Sequence, residues 1–204
     1  MDNFDWANFA AVTRDHEHHF LVEKAEALVP AGKQERRALD LGCGAGRNTR
    51  FLLARGWHVT AVDAEPAAIA AVSEIKSENL GVVQSKFEDF EFGEARYDLV
   101  CAQFTLPFTP REKFPEVWAC LKRAIKPGGY FEGQFFGTRD EWNVPGSSVN
   151  FVTREEVDEL LRGLTPVEIQ EEDKEGGTAT GATKHWHVFH IIAKKDMKEI
   201  KNGE

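Results

Sequence analysis

Residues 38–49, ALDLGCGAGRNT, hold the side chains and spacing in this chain best suited to chemistry. Gly42, Gly44 and Gly46 stand at alternate positions, after a short apolar run and before an amphipathic one. Glycine loses more conformational freedom on folding than any other residue, so a cluster of three needs a reason. A sharp turn from strand into helix supplies one: Gly42 and Gly44 accept unusual backbone angles and leave bare main chain for a ligand. A helix starting near Gly46 presents unpaired N–H groups at the same point. Two phosphate-binding readings fail on spacing. The dinucleotide fingerprint G-x-G-x-x-G has its third glycine where this chain has Arg47, and the phosphate-loop pattern ending in G-K-S/T is absent. The loop therefore fits a nucleoside without phosphates. Asp40, in the strand just before it, needs a partner if it is buried.

The elements around the loop alternate in type. Residues 4–29 carry Phe4, Phe9, Phe20, Leu21, Ala25 and Leu28 at helical spacing and read as one or two helices ahead of the first strand. ALDLGC is a strand, RNTRFLLARG a helix ending at Gly56, WHVTAVDA a strand, and EPAAIAAVSEIKSEN a helix with Pro66 in its first turn. LGVVQSKF, YDLVCAQFTL and YFEGQFF follow as strands, with REKFPEVWACLKRAIKPGG as the helix before the last of them. Thr153 and Glu156 form a capping box for the helix TREEVDELLRG. PVEIQEED and HWHVFHIIAKK close the chain as an antiparallel pair across a glycine- and threonine-rich turn. Strand–helix alternation predicts a parallel sheet with helices on both faces, and ligands bind such sheets beyond the carboxyl ends of the strands. The glycine loop lies at that end.

Composition narrows the function. The chain has 204 residues, a size for one domain, with 42 % hydrophobic and 29 % charged residues. Its 15 Phe and 5 Trp exceed what a surface carries and point to a core or an apolar pocket. A net charge of −9 argues against a nucleic-acid partner. Three cysteines without a CxxC pair fit a reducing cytosol better than a disulfide framework. The acidic N-terminal stretch lacks the features of a secretory signal, and no run approaches a membrane span of about 18 apolar residues. No membrane partner is expected, a cytoplasmic location is, and the tail 196–204 reads as frayed.

In these pieces the chain resembles the class I S-adenosylmethionine-dependent methyltransferases over nearly its whole length. LDLGCGAG looks like the first motif of that family, VTAVDAEP like the second and FEDFEF like the adenine-contact segment; YDLVCAQF and LKRAIKPGGYF look like the fourth strand and the helix, turn and strand after it. The resemblance implies an α/β, Rossmann-like, doubly wound seven-stranded sheet, mostly parallel with an antiparallel last strand, and S-adenosyl-L-methionine as cofactor. It implies residue roles as well. Asp63, with Ala64 beside it, meets the ribose hydroxyls. Glu88 or Asp89 accepts from the adenine amino group while the backbone at Phe90 serves the ring. Asp40 braces the loop or meets the cofactor ammonium, Gln103 faces the methionyl end, and Asn48 meets that end or serves the first turn of its helix. Gly42 and Gly44 carry the methionyl part on main chain. The organisation expected is one methyltransferase domain: a helical lid over 1–33, with Trp6, Phe9 and Phe20 as its apolar contacts, and a core over 34–195. Arg47 and Arg50 are expected on the exposed side of the first helix after the loop.

The segment AQFTLPFT after the fourth strand lacks the Asn/Asp-Pro-Pro-aromatic motif of base-modifying amino methyltransferases, and FTLPF suits an aromatic-lined pocket for a small-molecule acceptor. The last helix and strand pair resemble the tellurite-resistance-type branch of small methyltransferases. His16, His18 and His19 lack a completing ligand and read as a cap or a solvated helix face rather than a metal site; His185 and His187 share one strand face and His190 takes the other. The rival in another class is a cofactor-binding sensor or partner subunit without catalysis. It binds the same cofactor and forms no S-adenosylhomocysteine.

Overall fold

The computed structural model describes residues 4–30, 32 and 35–197. Most of the expected tail, 198–204, and a few positions of the 1–33 segment lie outside the described residues. Strands β1 Arg37–Leu41, β2 His58–Asp63, β3 Leu80–Gln84, β4 Tyr97–Ala102, β5 Ile125–Gly137, β7 Leu164–Gly177 and β8 Thr183–Lys195 form one sheet in the order β3-β2-β1-β4-β5-β8-β7. The two-residue β6, Phe151–Val152, pairs with β5 off this path and was not legible in the sequence. β8 runs antiparallel to both of its neighbours, β5 and β7, and the other pairings are parallel. Order reverses beside β1, between the β1–β2 and β1–β4 crossovers, where a doubly wound sheet opens a crevice.

The strands are apolar on both faces because both are covered. α2 Phe20–Leu28 and α3 Arg47–Ala54 pack Leu21, Val22, Ala25, Phe51 and Leu52 against Ala38, Val59 and Leu99. α5 Phe114–Ala124 and α6 Arg154–Leu160 pack Val117, Trp118, Leu121 and Val157 against Leu39, Val100, Phe131 and Phe189 on the other face. Each Val, Leu or Phe side chain among these contributes about 1.5–3 kcal/mol on leaving water. The capping box of α6 forms as expected, with Glu156 N–H donating to Thr153 Oγ1 at 3.2 Å and Thr153 N–H to Glu156 Oε2 at 2.7 Å.

Residues 4–29 form two helices with different attachments. α1, Trp6–Thr13, buries only Ala10 and Thr13, whereas α2 buries Leu21, Val22 and Ala25 in the core. α4, Pro66–Ser73, ends sooner than the sequence predicts: beyond Ser73 only Ile75 has an apolar side chain to pack before the chain reaches β3. β7 and β8 extend further than predicted and turn over 178–182, where Thr178 N–H donates to Ala182 O at 2.7 Å. The glycines at the far end of β7 stay in the ladder because Trp186 lies on Gly176 and donates to its carbonyl at 3.2 Å.

Candidate active site

A cavity of about 410 Å3 opens at the carboxyl ends of β1, β2 and β4. Its lining includes Gly42, Cys43, Gly44 and Ala45 after β1, Asp63, Ala64 and Glu65 at the end of β2, and Lys86, Phe87 and Glu88 after β3. It continues with Gln103, Phe104, Thr105 and Phe108 after β4 and with Trp6, Phe9, Ala10 and Thr13 of α1. Arg47 and Asn48 of α3, Ala68 and Pro110 complete it. Carboxylates and bare backbone thus come from the ends of β1 to β3, and most of the aromatic side chains from α1 and the segment after β4.

The loop is bound to β2 before any ligand arrives. Gly42 and Cys43 N–H groups both donate to Val62 O, at 2.8 and 3.0 Å. Asp63 Oδ2 accepts from Gly44 N–H and Oδ1 from Glu65 N–H, each at 2.9 Å. Burial pushes the Asp63 carboxyl above its ordinary range, and backbone donors at Glu65, Gly44 and Ala64 draw it back. Two donors leave lone pairs on this carboxylate for further acceptance. The three glycines have three different reasons. A side chain at Gly42 would place its first carbon 2.3 Å from Thr105 Oγ1, and at Gly46 2.9 Å from Val72 Cγ2. Gly44, at φ +53°, has nothing within 4 Å of that position. Gly42 and Gly46 therefore admit close packing of the protein on itself, and Gly44 is the one with open space beside it.

Seven of the ten expected site residues line the cavity: Gly42, Gly44, Asn48, Asp63, Ala64, Glu88 and Gln103. Asp40, Asp89 and Phe90 do not. Asp40 is 1 % exposed and accepts from Thr49 Oγ1 at 2.5 Å, a brace between β1 and α3. Burial raises its pKa to about 6, against the pull of the Thr49 hydroxyl and Arg47. Glu88, from the turn Phe87–Asp89, faces the cavity in place of Asp89. Asn48 is partly occupied: its Oδ1 accepts from His19 N–H at 3.0 Å and so ties the start of α2 to α3.

Arg47 is not on the exposed side of its helix. It is the first residue of α3 and overlooks the loop, where burial lowers its pKa and the nearby Asp40 and Glu132 carboxyls counter that. Arg50 instead ties the loop to α1, donating to Ala45 O at 2.8 Å and to Arg14 O. Of the expected lid contacts, Trp6 and Phe9 line the cavity, while Phe20 is 44 % exposed on α2 and stands against His19 and His190. Of the three N-terminal histidines, His19 takes the cap role: it is the N-cap of α2, and its Nδ1 accepts from Leu21 N–H. Burial first, then the charge of Arg47, lower the His19 pKa to about 3. Among the described residues no three His, Cys, Asp or Glu side chains gather as a metal site.

Residues 38–129 match the sequence profile of a methyltransferase domain, and that match contains the whole loop, Asp63, Glu88 and Gln103. This match and the relatives that follow support a class I S-adenosylmethionine-dependent methyltransferase. TehB of Haemophilus influenzae is 30 % identical over 115 residues, which cover 55 % of this chain and 38 % of TehB. The TehB crystal structure superposes with a TM-score of 0.75 and 22 % identity over 92 % of this chain and 66 % of that one. The likeness in sequence and fold supports the branch that the late elements resemble. The 1,6-didemethyltoxoflavin-N1-methyltransferase of Burkholderia thailandensis, solved with 1,6-didemethyltoxoflavin and S-adenosylhomocysteine bound, has a TM-score of 0.63 and 24 % identity over 93 % of this chain and 89 % of its own. The chain spans less than half the length of the curated relatives it matches. In a class I methyltransferase the carboxyl ends of the strands are the working edge, and here that edge holds the cavity.

Proposed function

We propose that this protein transfers the methyl group of S-adenosyl-L-methionine to a small-molecule acceptor. The observation that carries this reading is the lining of the cavity, which combines acceptors and bare backbone at Gly44, Asp63 and Glu88 with aromatic side chains at Trp6, Phe9, Phe104 and Phe108. Asp63 takes the ribose hydroxyls on its remaining lone pairs, and Glu88 takes the adenine amino group. Gly44 lets the methionyl chain lie against main chain. The Arg47 guanidinium, which makes no hydrogen bond or ion pair among the described residues, faces the cofactor carboxylate. Gln103 borders the transferred methyl. Domain and site assignments follow: one methyltransferase domain with α1 as its lid.

The cofactor supplies an activated methyl group on a sulfonium. The protein's part is to hold sulfur, carbon and nucleophile in line and to exclude water. Of the acidic side chains that line the cavity, Asp63 and Glu88 are given to the cofactor and Glu65 caps α4, and no histidine lines it. The reading is therefore of an acceptor that arrives as its own nucleophile, a thiolate or another soft anion, or a neutral amine, without a general base from the protein. The three cysteines, all free, fit a reducing compartment such as the cytoplasm, and no helix among the described residues is long and apolar enough to cross a membrane. The test is formation of S-adenosylhomocysteine against a panel of thiols, chalcogen oxyanions, phenols, amines and carboxylates. Turnover with at least one member is expected. Tight cofactor binding with no turnover on any member would instead favour a sensor or partner subunit.

A further inference from the structure

Next to the acceptor end of the cavity, the sheet face beneath α2 and α3 carries polar side chains among apolar ones. The register sets Asp40 of β1 beside Cys101 of β4, and Cys101 beside Glu132 of β5. All three are at most 1 % exposed. Glu132 Oε2 accepts a hydrogen bond from Gln103 Nε2. Gln103 Oε1 accepts from Gln134 Nε2 at 2.6 Å, and Gln134 Oε1 accepts from Phe104 N–H at 2.8 Å. An unbroken line of amides thus runs from a buried carboxyl to the backbone of a residue that lines the cavity. Both ends are unusual. Glu132 Oε1 has no hydrogen-bond partner among the described residues. Phe104 holds φ at +51°, a left-handed conformation that costs a bulky side chain free energy unless its surroundings fix it. Glu132 itself does not line the cavity.

We propose that Glu132 is a positioning residue: through Gln103 and Gln134 it fixes the Gln103 amide and the left-handed Phe104 backbone, and so shapes the acceptor end of the cavity. This role presupposes that the cavity is the site of methyl transfer. An ionised carboxylate makes the stronger, charge-assisted hydrogen bond. Each polarised amide passes part of that strengthening to the next. Ionising Glu132 therefore tightens the line as far as Phe104, and protonating it slackens the line.

The groups that face Glu132 are Cys101 from β4, Asp40 from β1 and Arg47 from α3; β8 sets Ile192 opposite Glu132 and His190 opposite Gln134. Burial pushes the Glu132 pKa up to about 8, the Cys101 thiol draws it down, Asp40 raises it and Arg47 lowers it. Asp40 titrates near 6, the Cys101 thiol far above its ordinary value and His190 below its own, so a step near pH 8 belongs to Glu132. The sign follows from the raised pKa: stability from the neutral carboxyl is full below the unfolded value and is lost as pH rises through the folded one.

The test is a pH titration of the 15N-labelled protein without added ligand, following the Gln103 side-chain amide and the Phe104 backbone amide. Both are expected to move downfield together with a midpoint near pH 8. Glu132→Gln is expected to flatten both curves. Gln134→Leu cuts the line beyond Gln103, so it should keep the Gln103 step and abolish that of Phe104. A Phe104 amide that shows no step near pH 8 in the unsubstituted protein would overturn the assignment, as would one that keeps the step in Gln134→Leu. The unsubstituted protein alone decides the first point should Glu132→Gln fail to fold. None of these spectra requires cofactor, so failure to bind S-adenosylmethionine would sink the methyl-transfer reading and leave this result standing.

Discussion

Replacing Asp63 with alanine is expected to weaken S-adenosylhomocysteine binding about a hundredfold or more. A hydrogen bond to a charged group contributes roughly 1.5–3 kcal/mol, and about 1.4 kcal/mol is a factor of ten in affinity. Loss of two such bonds to the ribose accounts for at least that change. The substitution also releases Gly44 N–H and Glu65 N–H, which Asp63 holds at 2.9 Å, so the loop loses its tie to β2. The comparison with Asp63→Asn separates the two effects. Asparagine keeps one carbonyl oxygen for a backbone donor but cannot take both hydroxyls as an anion. It should recover much of the thermal stability and little of the affinity. Calorimetry on both variants measures this, and an affinity within about threefold of the unsubstituted protein in Asp63→Ala would remove Asp63 from the ribose.

Removing residues 1–16 should abolish methyl transfer while leaving most of the cofactor affinity. α1 spans the cavity mouth: Trp6 meets Phe108 edge-on with centroids 4.9 Å apart, and Arg14 pairs with Glu74 at the far side. Exposed ion pairs of that kind contribute about 0.2–1 kcal/mol, and Arg50 adds a hydrogen bond to Arg14 O. Its loss admits water beside the sulfonium and removes two aromatic walls from the acceptor end, and misplacement of about 1 Å can cost a hundredfold in rate. The truncated chain keeps His19 as the cap of α2 and all of the α2 core contacts, so it is expected to fold. The measurement is turnover with the acceptor found in the panel, beside the S-adenosylhomocysteine affinity of the same protein. Unchanged turnover would refute the lid. A truncated chain that cannot fold would make α1 a structural edge cover instead.

Much of this fold is visible in the sequence because its strands are short apolar runs bounded by glycines and turns, and its helices carry one apolar stripe each. The loop was legible for the same local reason: Gly42, Gly44 and Gly46 solve a strand-to-helix turn that a few consecutive residues define. What spacing does not carry is direction. Glu88 and Asp89 are neighbours in one tight turn, and which of them faces the cavity depends on how that turn sits against β3. Arg47 looks like a surface residue of an amphipathic helix, yet the first residue of a helix need not follow its stripe, and this one points back over the loop. Glu132 and Gln134 stand two positions apart in YFEGQFF, with Gly133 between them, which puts two polar groups on one strand face. Their partner Gln103 lies 29 and 31 positions away, and only the pairing of β4 with β5 brings it to them.

The most direct test of the central claim is a calorimetric titration of the intact chain with S-adenosylhomocysteine and, separately, with NAD. Binding of S-adenosylhomocysteine at one site per chain, with no measurable heat from NAD, is the result that Gly44, Asp63 and the Arg47 in place of a third dinucleotide glycine predict. Tight NAD binding with no response to S-adenosylhomocysteine would contradict it.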